Sequence, residues 1–285
     1  YFRGDQWFET KNSEIHAGTF DKSKLTKLQQ TLAVVAPAIS QSYYVYLDPS
    51  AVGAVGESSS ATYSTSGFST TVYYNYVDTE TPHLYARMVD YIGYDAVVVG
   101  NHDIETGHPV YDRVDAQMKT PFLAANAIRT DNGKPYFQEY VTLKRHGLKI
   151  TILGFTNPNI KNWLSPLLWE GMEFESLLPF VQETVDRVKA KEKSDIVIVA
   201  VHSGTGDGDG TQLESQGLDL LNSLEGVDFV ICSHDHRPVV IDNDGIVLIN
   251  AGSHCRNLGF GTVTVKVEGG KVVSKSVSGE LLPID

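Results

Sequence analysis

Imidazole, amide and carboxylate side chains gather at four points along the chain, each directly after an apolar run. Val97-Val98-Val99-Gly100 leads into Asn101, His102, Asp103 and Glu105, and Ile196 to Val201 stops at His202. Phe229 to Cys232 stops before His234 and His236, and Ile246 to Ile249 runs into Asn250 and His254. Neutral imidazoles and amide oxygens ligate divalent ions, and a histidine beside a carboxylate is a proton-transfer pair. Open α/β sheets hold their ligands outside the carboxyl ends of the strands. Four strands delivering such groups to one edge suggest a metal site.

The intervening segments supply the elements that must position these groups. Leu84, Met88, Val89 and Ile92 give Pro82 to Ile92 a helical spacing, and Asp95 to Val99 reads as the strand that follows. Further strands are expected over Phe122 to Ala125 and Lys149 to Phe155. Leu177 to Lys191 carries Leu177, Phe180, Val181, Val185 and Val188 on one helical face, with Ser176 as N-cap and Pro179 in the first turn. A helix from Gln212 to Leu224 precedes the strand ending at Cys232. Gly261 to Val267 and Lys271 to Val277 read as a hairpin around a glycine turn. On a regular strand His234 and His236 share one face and Asp235 takes the other. From a strand end or an extended loop both histidines can reach one metal centre, and Asp235 then reads as an outward group or one that supports the ligands. The class is α/β with antiparallel additions. Residues 51–71, rich in Ala, Gly, Ser and Thr, read either as a flexible excursion or as a poorly specified strand pair.

Composition bounds the function. The 285 residues suit one large domain or two small ones. A net charge of −12 argues against binding a nucleic-acid polymer through its backbone, but not against a small anion held by bound cations. No apolar run approaches the ~18 residues of a spanning helix, and the start at Tyr1 does not read as a signal peptide. Cys232 and Cys255 form no disulfide framework and read as small apolar residues. His254 reads as a pocket-wall or structural residue, and His83, His108 and His146 as surface or capping ones. Tyr73, Tyr74 and Tyr76 read as core or sheet face.

Gly100-Asn101-His102-Asp103, Val201-His202-Ser203-Gly204 and Cys232-Ser233-His234-Asp235-His236 occur in the order found in calcineurin-like metallophosphoesterases. Val72-Tyr73-Tyr74-Asn75, Asn250-Ala251-Gly252-Ser253 and Asn257-Leu258-Gly259 further resemble the N-terminal domain of bacterial 5′-nucleotidases and 2′,3′-cyclic-nucleotide 2′-phosphodiesterases. The resemblance implies a four-layer αββα sandwich of two mixed sheets flanked by helices, here as one domain over 1–285. It implies two divalent ions such as Mn, Zn or Fe, with one held by Asn101, His202 and His234. His236 and N-terminal ligands would hold the second. His102 would face the substrate phosphate, oriented by Glu105. The implied substrate is a small nucleotide or other phosphoester, and the implied location is periplasmic or at a bacterial surface. The family's C-terminal nucleotide-gripping domain has no counterpart in these residues, so base specificity is not expected to reside here.

The opening motifs depart from the family pattern. Ser13-Glu14-Ile15-His16 stands where an Asp-x-His motif belongs, which nominates Glu14 and His16 as ligands with the carboxylate one methylene longer. Tyr43 to Leu47 resembles the next strand, and Asp48 follows it, yet Pro49-Ser50 stands where Gly-Asp is expected. Two functional readings follow: an active dinuclear phosphoesterase acting on nucleotides, and a degenerate, non-catalytic binding member with a weakened metal site. A phosphoesterase for another substrate, such as a sugar phosphate, is also compatible with the fold.

Overall fold

A computed structural model describes residues 82–269 and 271–284. The expectations placed on Glu14, His16, Asp48, residues 51–71 and the Tyr73, Tyr74 and Tyr76 cluster lie outside them. The chain divides into two compact units. One gathers the described residues up to Tyr94 with His102–Lys119 and Lys161–Glu170; the other holds Asp95–Asn101, Thr120–Ile160 and everything from Gly171 onward. The class is α/β, with a mixed sheet and packed helices. No helix among the described residues is long and apolar enough to cross a membrane.

In chain order the elements are helix α1 (Leu84–Ile92), strand β1 (Val97–Val98), helix α2 (Asn101–Ile104), helix α3 (His108–Gln117), and strands β2 (Phe122–Leu123), β3 (Ala127–Arg129), β4 (Tyr140–Arg145) and β5 (Leu148–Phe155). Helix α4 (Ile160–Trp163), strand β6 (Met172–Phe174), helix α5 (Leu177–Glu192), strand β7 (Ile196–Val201) and helix α6 (Gly217–Ser223) follow. The chain closes with strands β8 (Phe229–Cys232), β9 (Pro238–Asn243), β10 (Ile246–Ala251), β11 (Asn257–Glu268) and β12 (Lys271–Pro283).

Within the second unit a six-stranded sheet runs β4-β5-β7-β8-β10-β9. Its four central strands are mutually parallel, while β4 and β9 pair antiparallel at the edges. Parallel strands buried on both faces require near-continuous apolar runs, which is why Ile196 to Val201 and Phe229 to Cys232 read as they do. Val181, Val185 and Val188 of α5 and Leu220 and Leu221 of α6 pack into one core with Leu153, Val197, Val199, Val230 and Leu248. The other face meets the β11–β12 hairpin through Phe229, Val247 and Ile249 with Val263, Val277 and Leu281. Lys275 fastens the hairpin, reaching buried Asp228 at 2.6 Å and the Asp195 carbonyl at 3.0 Å.

Several expectations need correction. The helix anticipated over Gln212 to Leu224 begins only at Gly217, because the preceding loop bonds elsewhere. The Glu214 carbonyl accepts from Gly204 N and Ser203 Oγ, and Ser203 Oγ accepts from Gln216 N, so these groups are taken up outside a continuing helix. Ser176 stands at the N-cap of α5, but its hydroxyl makes no capping bond. Strands β4 and β9 and helix α3 carry too little apolar periodicity to have been read. His146 lies in the two-residue β4–β5 turn, where it and Gly147 both adopt positive φ, as a tight hairpin turn requires.

In the first unit His83 is buried and accepts a bond from Tyr85 N, capping α1, and burial lowers its pKa to about 4. His108 reaches the Glu170 carbonyl through Nε2 and the Asp112 carboxylate through Nδ1. Both partners only accept, so the doubly protonated ring satisfies them best, and its pKa is raised.

Candidate metal and phosphate site

Because β5, β7, β8 and β10 are parallel, their carboxyl ends share one edge of the sheet, and the chemistry collects there. His202 follows β7, while Ser233, His234, Asp235 and His236 follow β8. Asn250 lies in the last turn-out of β10, paired in register with Cys232. Asn101 comes from the end of the β1 segment. Its Oδ1 lies 2.8 Å from His202 Nε2.

That approach needs a small residue before Asn101. A Cβ on Gly100 would stand 3.1 Å from His202 Cε1, tighter than ordinary contact, so glycine lets the ring pass close to the backbone. The far side of the ring is also held, with His202 Nδ1 3.1 Å from Ser233 Oγ. His234 packs edge-on against His202, with ring centroids 5.1 Å apart. His236 in turn packs against exposed His254 at 6.2 Å, and His254 Nδ1 lies 2.8 Å from the hydroxyl of its neighbour Ser253.

His234 and His236 do not share a strand face. Strand β8 ends at Cys232, and both histidines sit in a bend with φ of 79° and 60°. Asp235 is half-buried and hydrogen-bonded, which favours its reading as a supporting group over an outward one. Its Oδ2 accepts from Thr205 N at 2.7 Å and its Oδ1 from Asn250 Nδ2 at 2.7 Å. The two cysteines differ in environment. Cys232 is buried, which pushes its thiol up to about 12, whereas Cys255 is exposed, and neither forms a disulfide.

In the first unit His102 and Glu105 lie one helical turn apart. Nδ1 of His102 is 2.7 Å from Glu105 Oε2. The carboxylate is buried while the imidazole is 59 % exposed. The hydrogen bond to Glu105 raises the His102 pKa above its usual 6.5, against the opposing effect of burial. A carboxylate on Nδ1 leaves Nε2 directed away from Glu105, available to an outside partner.

Among the described residues no three His, Cys, Asp or Glu side chains converge as a metal-holding group. An amide oxygen with two imidazoles is a different donor set, and its spacing can be tested. Ions that bind N and O at about 2.0–2.2 Å place ligands at right angles roughly 3 Å apart. The 2.8 Å between Asn101 Oδ1 and His202 Nε2 fits two such ligands of one ion. The ring of His234 packs edge-on against His202 beside them.

The pattern has a family. A model of calcineurin-like phosphoesterases matches residues 68–238, more than half of the chain. The chain belongs to the calcineurin-like phosphoesterase family. Members generally use divalent metals. A 5′-nucleotidase of Vibrio cholerae is 27% identical over 192 residues, covering 65% of this chain and 35% of the relative. A 2′,3′-cyclic-nucleotide 2′-phosphodiesterase/3′-nucleotidase of Haemophilus influenzae is 28% identical over 155 residues, covering 51% and 23%. The chain thus spans about a third or less of the length of these relatives. Among solved structures, the calcineurin-like phosphoesterase YfkN of Bacillus subtilis superposes with a TM-score of 0.62 at 21% identity, covering 72% of this chain and 68% of that one. This likeness shows the fold.

Reading along the sequence missed Ser233 and Asn250 as structural partners of the histidines and their loop. The available signal was their position: each stands beside a histidine or at the end of a strand that pairs with one.

Proposed function

We propose that this chain is a metal-dependent phosphoester hydrolase acting on nucleotides through a dinuclear centre, as a 5′-nucleotidase or a 2′,3′-cyclic-nucleotide phosphodiesterase. The observation that carries the reading is the convergence of Asn101 Oδ1 and His202 Nε2 to 2.8 Å beside His234. These three would hold one ion. His236 would contribute to the second, with Glu14, His16 and Asp48 supplying its remaining ligands. When bound, such ions lower the pKa of a coordinated water and neutralise charge on the phosphoryl oxygens.

The chain's own residues account for the proton. Glu105 holds the Nδ1–H of His102, so the charged ring carries a second proton on Nε2. Donated to the leaving oxygen, or held as a hydrogen bond to a phosphoryl oxygen, that proton offsets the charge that develops as the ester breaks. The buried carboxylate stabilises the imidazolium form, the form that can act as an acid. Bound cations also explain how a chain of net charge −12 accepts an anionic substrate. A periplasmic or surface location belongs to the same proposal, by resemblance.

A second reading has one specific support. The altered opening motifs, Glu14 for an aspartate and Asp48-Pro49 for a Gly-Asp pair, favour a degenerate binding member with a weakened site. Metal content measured together with hydrolysis of AMP, 2′,3′-cyclic AMP, a sugar phosphate and p-nitrophenyl phosphate separates the two, with Mn²⁺ or Zn²⁺ supplied. Two ions per chain and turnover of a nucleotide are expected. At most one ion with no turnover of any substrate establishes the degenerate reading. Turnover confined to the sugar phosphate overturns the nucleotide assignment.

A further inference from the structure

The loop that carries His234 and His236 is held in an unusual backbone shape by groups that touch no reacting atom. Both histidines have positive φ, a region that non-glycine residues seldom enter unless surrounding structure fixes them there. Between them stands Asp235, whose carboxylate joins three strand ends. Thr205 N, after β7, donates to Oδ2 at 2.7 Å. Asn250 Nδ2, from β10, donates to Oδ1 at 2.7 Å and also to Thr205 Oγ1 at 3.1 Å. Asn250 is fully buried, and its own Oδ1 accepts from Gly252 N at 3.0 Å. Every polar atom of the amide is therefore committed, so its orientation is fixed and its donor side faces the carboxylate. Charge-assisted bonds of this kind are short and directional.

We propose that Asn250 is a positioning residue for the metal centre, acting through Asp235 to hold His234 and His236 in the backbone conformation that presents their rings to the ions. This rests on the functional reading above, in which those rings are ligands. Partners of metal ligands set ring orientation, and their loss typically weakens metal binding about 10–100-fold.

The test uses the purified chain with Mn²⁺ or Zn²⁺ alone as probe. Asn250→Asp keeps the side-chain shape, removes the donor and sets a second carboxylate against Asp235. Asp235→Asn keeps an acceptor for Thr205 N but faces Asn250 with an amide in place of the charge. Metal affinity is read by competition with a chromophoric chelator, and backbone amide exchange over residues 233–237 is followed in the metal-free protein. The single variants are expected to bind metal about 10–100-fold more weakly and to exchange faster over this loop. The exchanged pair, Asp235→Asn with Asn250→Asp, restores one carboxylate facing one amide, with the asparagine oxygen still accepting from Thr205 N, and is expected to recover affinity. If Asn250→Asp does not fold, Asp235→Asn carries the same comparison. Folded single variants with native metal affinity overturn the proposal, as does faster loop exchange without weaker binding. A native chain that binds no metal instead defeats the functional reading, and unchanged loop exchange in the variants then defeats the clamp separately.

Discussion

The His102–Glu105 pair and the cluster around His202 are built in opposite ways. The pair joins His102 on α2 to Glu105, the first residue past the end of that helix, so its geometry follows from local spacing alone, in which residues three apart on a helical turn face each other. The cluster joins residues 101, 202, 234 and 250, of which 202 and 234 follow β7 and β8, 250 lies near the end of β10 and 101 opens α2. Its geometry exists only while the sheet register holds Val201 beside Cys232 and Cys232 beside Asn250. The exposures differ accordingly, with the His102 ring 59 % open to solvent and Asn250 fully buried. A local pair keeps its form when the core is disturbed, whereas a site collected from strand ends inherits the stability of the whole sheet.

The largest effect that tests this contrast comes from removing one histidine from each region. His102→Ala should lower kcat by about 10²–10⁴-fold while metal content stays at the native level. His202→Ala should lower both. Metal loss of equal size in the two variants would break the division between a proton-transfer pair and a ligand cluster. Next in size is a perturbation of the core. Leu248 is fully buried in β10, and Leu248→Ala should cost about 2–5 kcal/mol in denaturant unfolding. Metal affinity should fall with it, while the raised pKa of His102, followed by its ring proton shifts, should stay in place. A smaller and more local change is Gly100→Ala. The added methyl must displace the His202 ring by a few tenths of an ångström, so metal binding should weaken several-fold with little change in unfolding midpoint. Native affinity in that variant would show that the ring has slack and that its position does not limit binding.

The same contrast explains what could be read from the sequence. The α/β class was legible because buried parallel strands need unbroken apolar runs, and α5 because its apolar face repeats at helical spacing. The pair was legible because its members stand three positions apart. The histidines proposed as ligands were legible as residues that follow apolar runs, without any indication of which strands stand side by side. The clamp on Asp235 was not legible, since it depends on β10 pairing with β8 and on the shape of the bend just past Cys232. The helix start at Gly217 was hidden for a related reason. Gln212 to Gln216 have no local defect as helix formers, and it is Ser203 and Gly204, from the end of β7, that take up their hydrogen-bonding groups.

The finest test of the comparison addresses the pair alone. Glu105→Gln preserves shape and one hydrogen-bonding oxygen but removes the charge that, through the hydrogen bond to Nδ1, raises the His102 pKa. In the proposed reaction the protonated ring is the acid, so kcat/KM declines as pH rises through the pKa of the free enzyme. The native decline should lie above pH 6.5, the ordinary histidine value, and Glu105→Gln should move it to lower pH. Stability carries the same sign. A histidine whose pKa is raised by folding stabilises the native state fully below its unfolded value, and that contribution disappears as pH rises through the folded value. Unfolding midpoints of the native chain and of Glu105→Gln should therefore differ below pH 6.5 and converge at alkaline pH, with the exposed ring keeping the difference small. Metal affinity should be the same in both proteins throughout. A pH profile that does not move would show that Glu105 orients the ring without tuning it, and a change in metal affinity would show that the two regions are not independent.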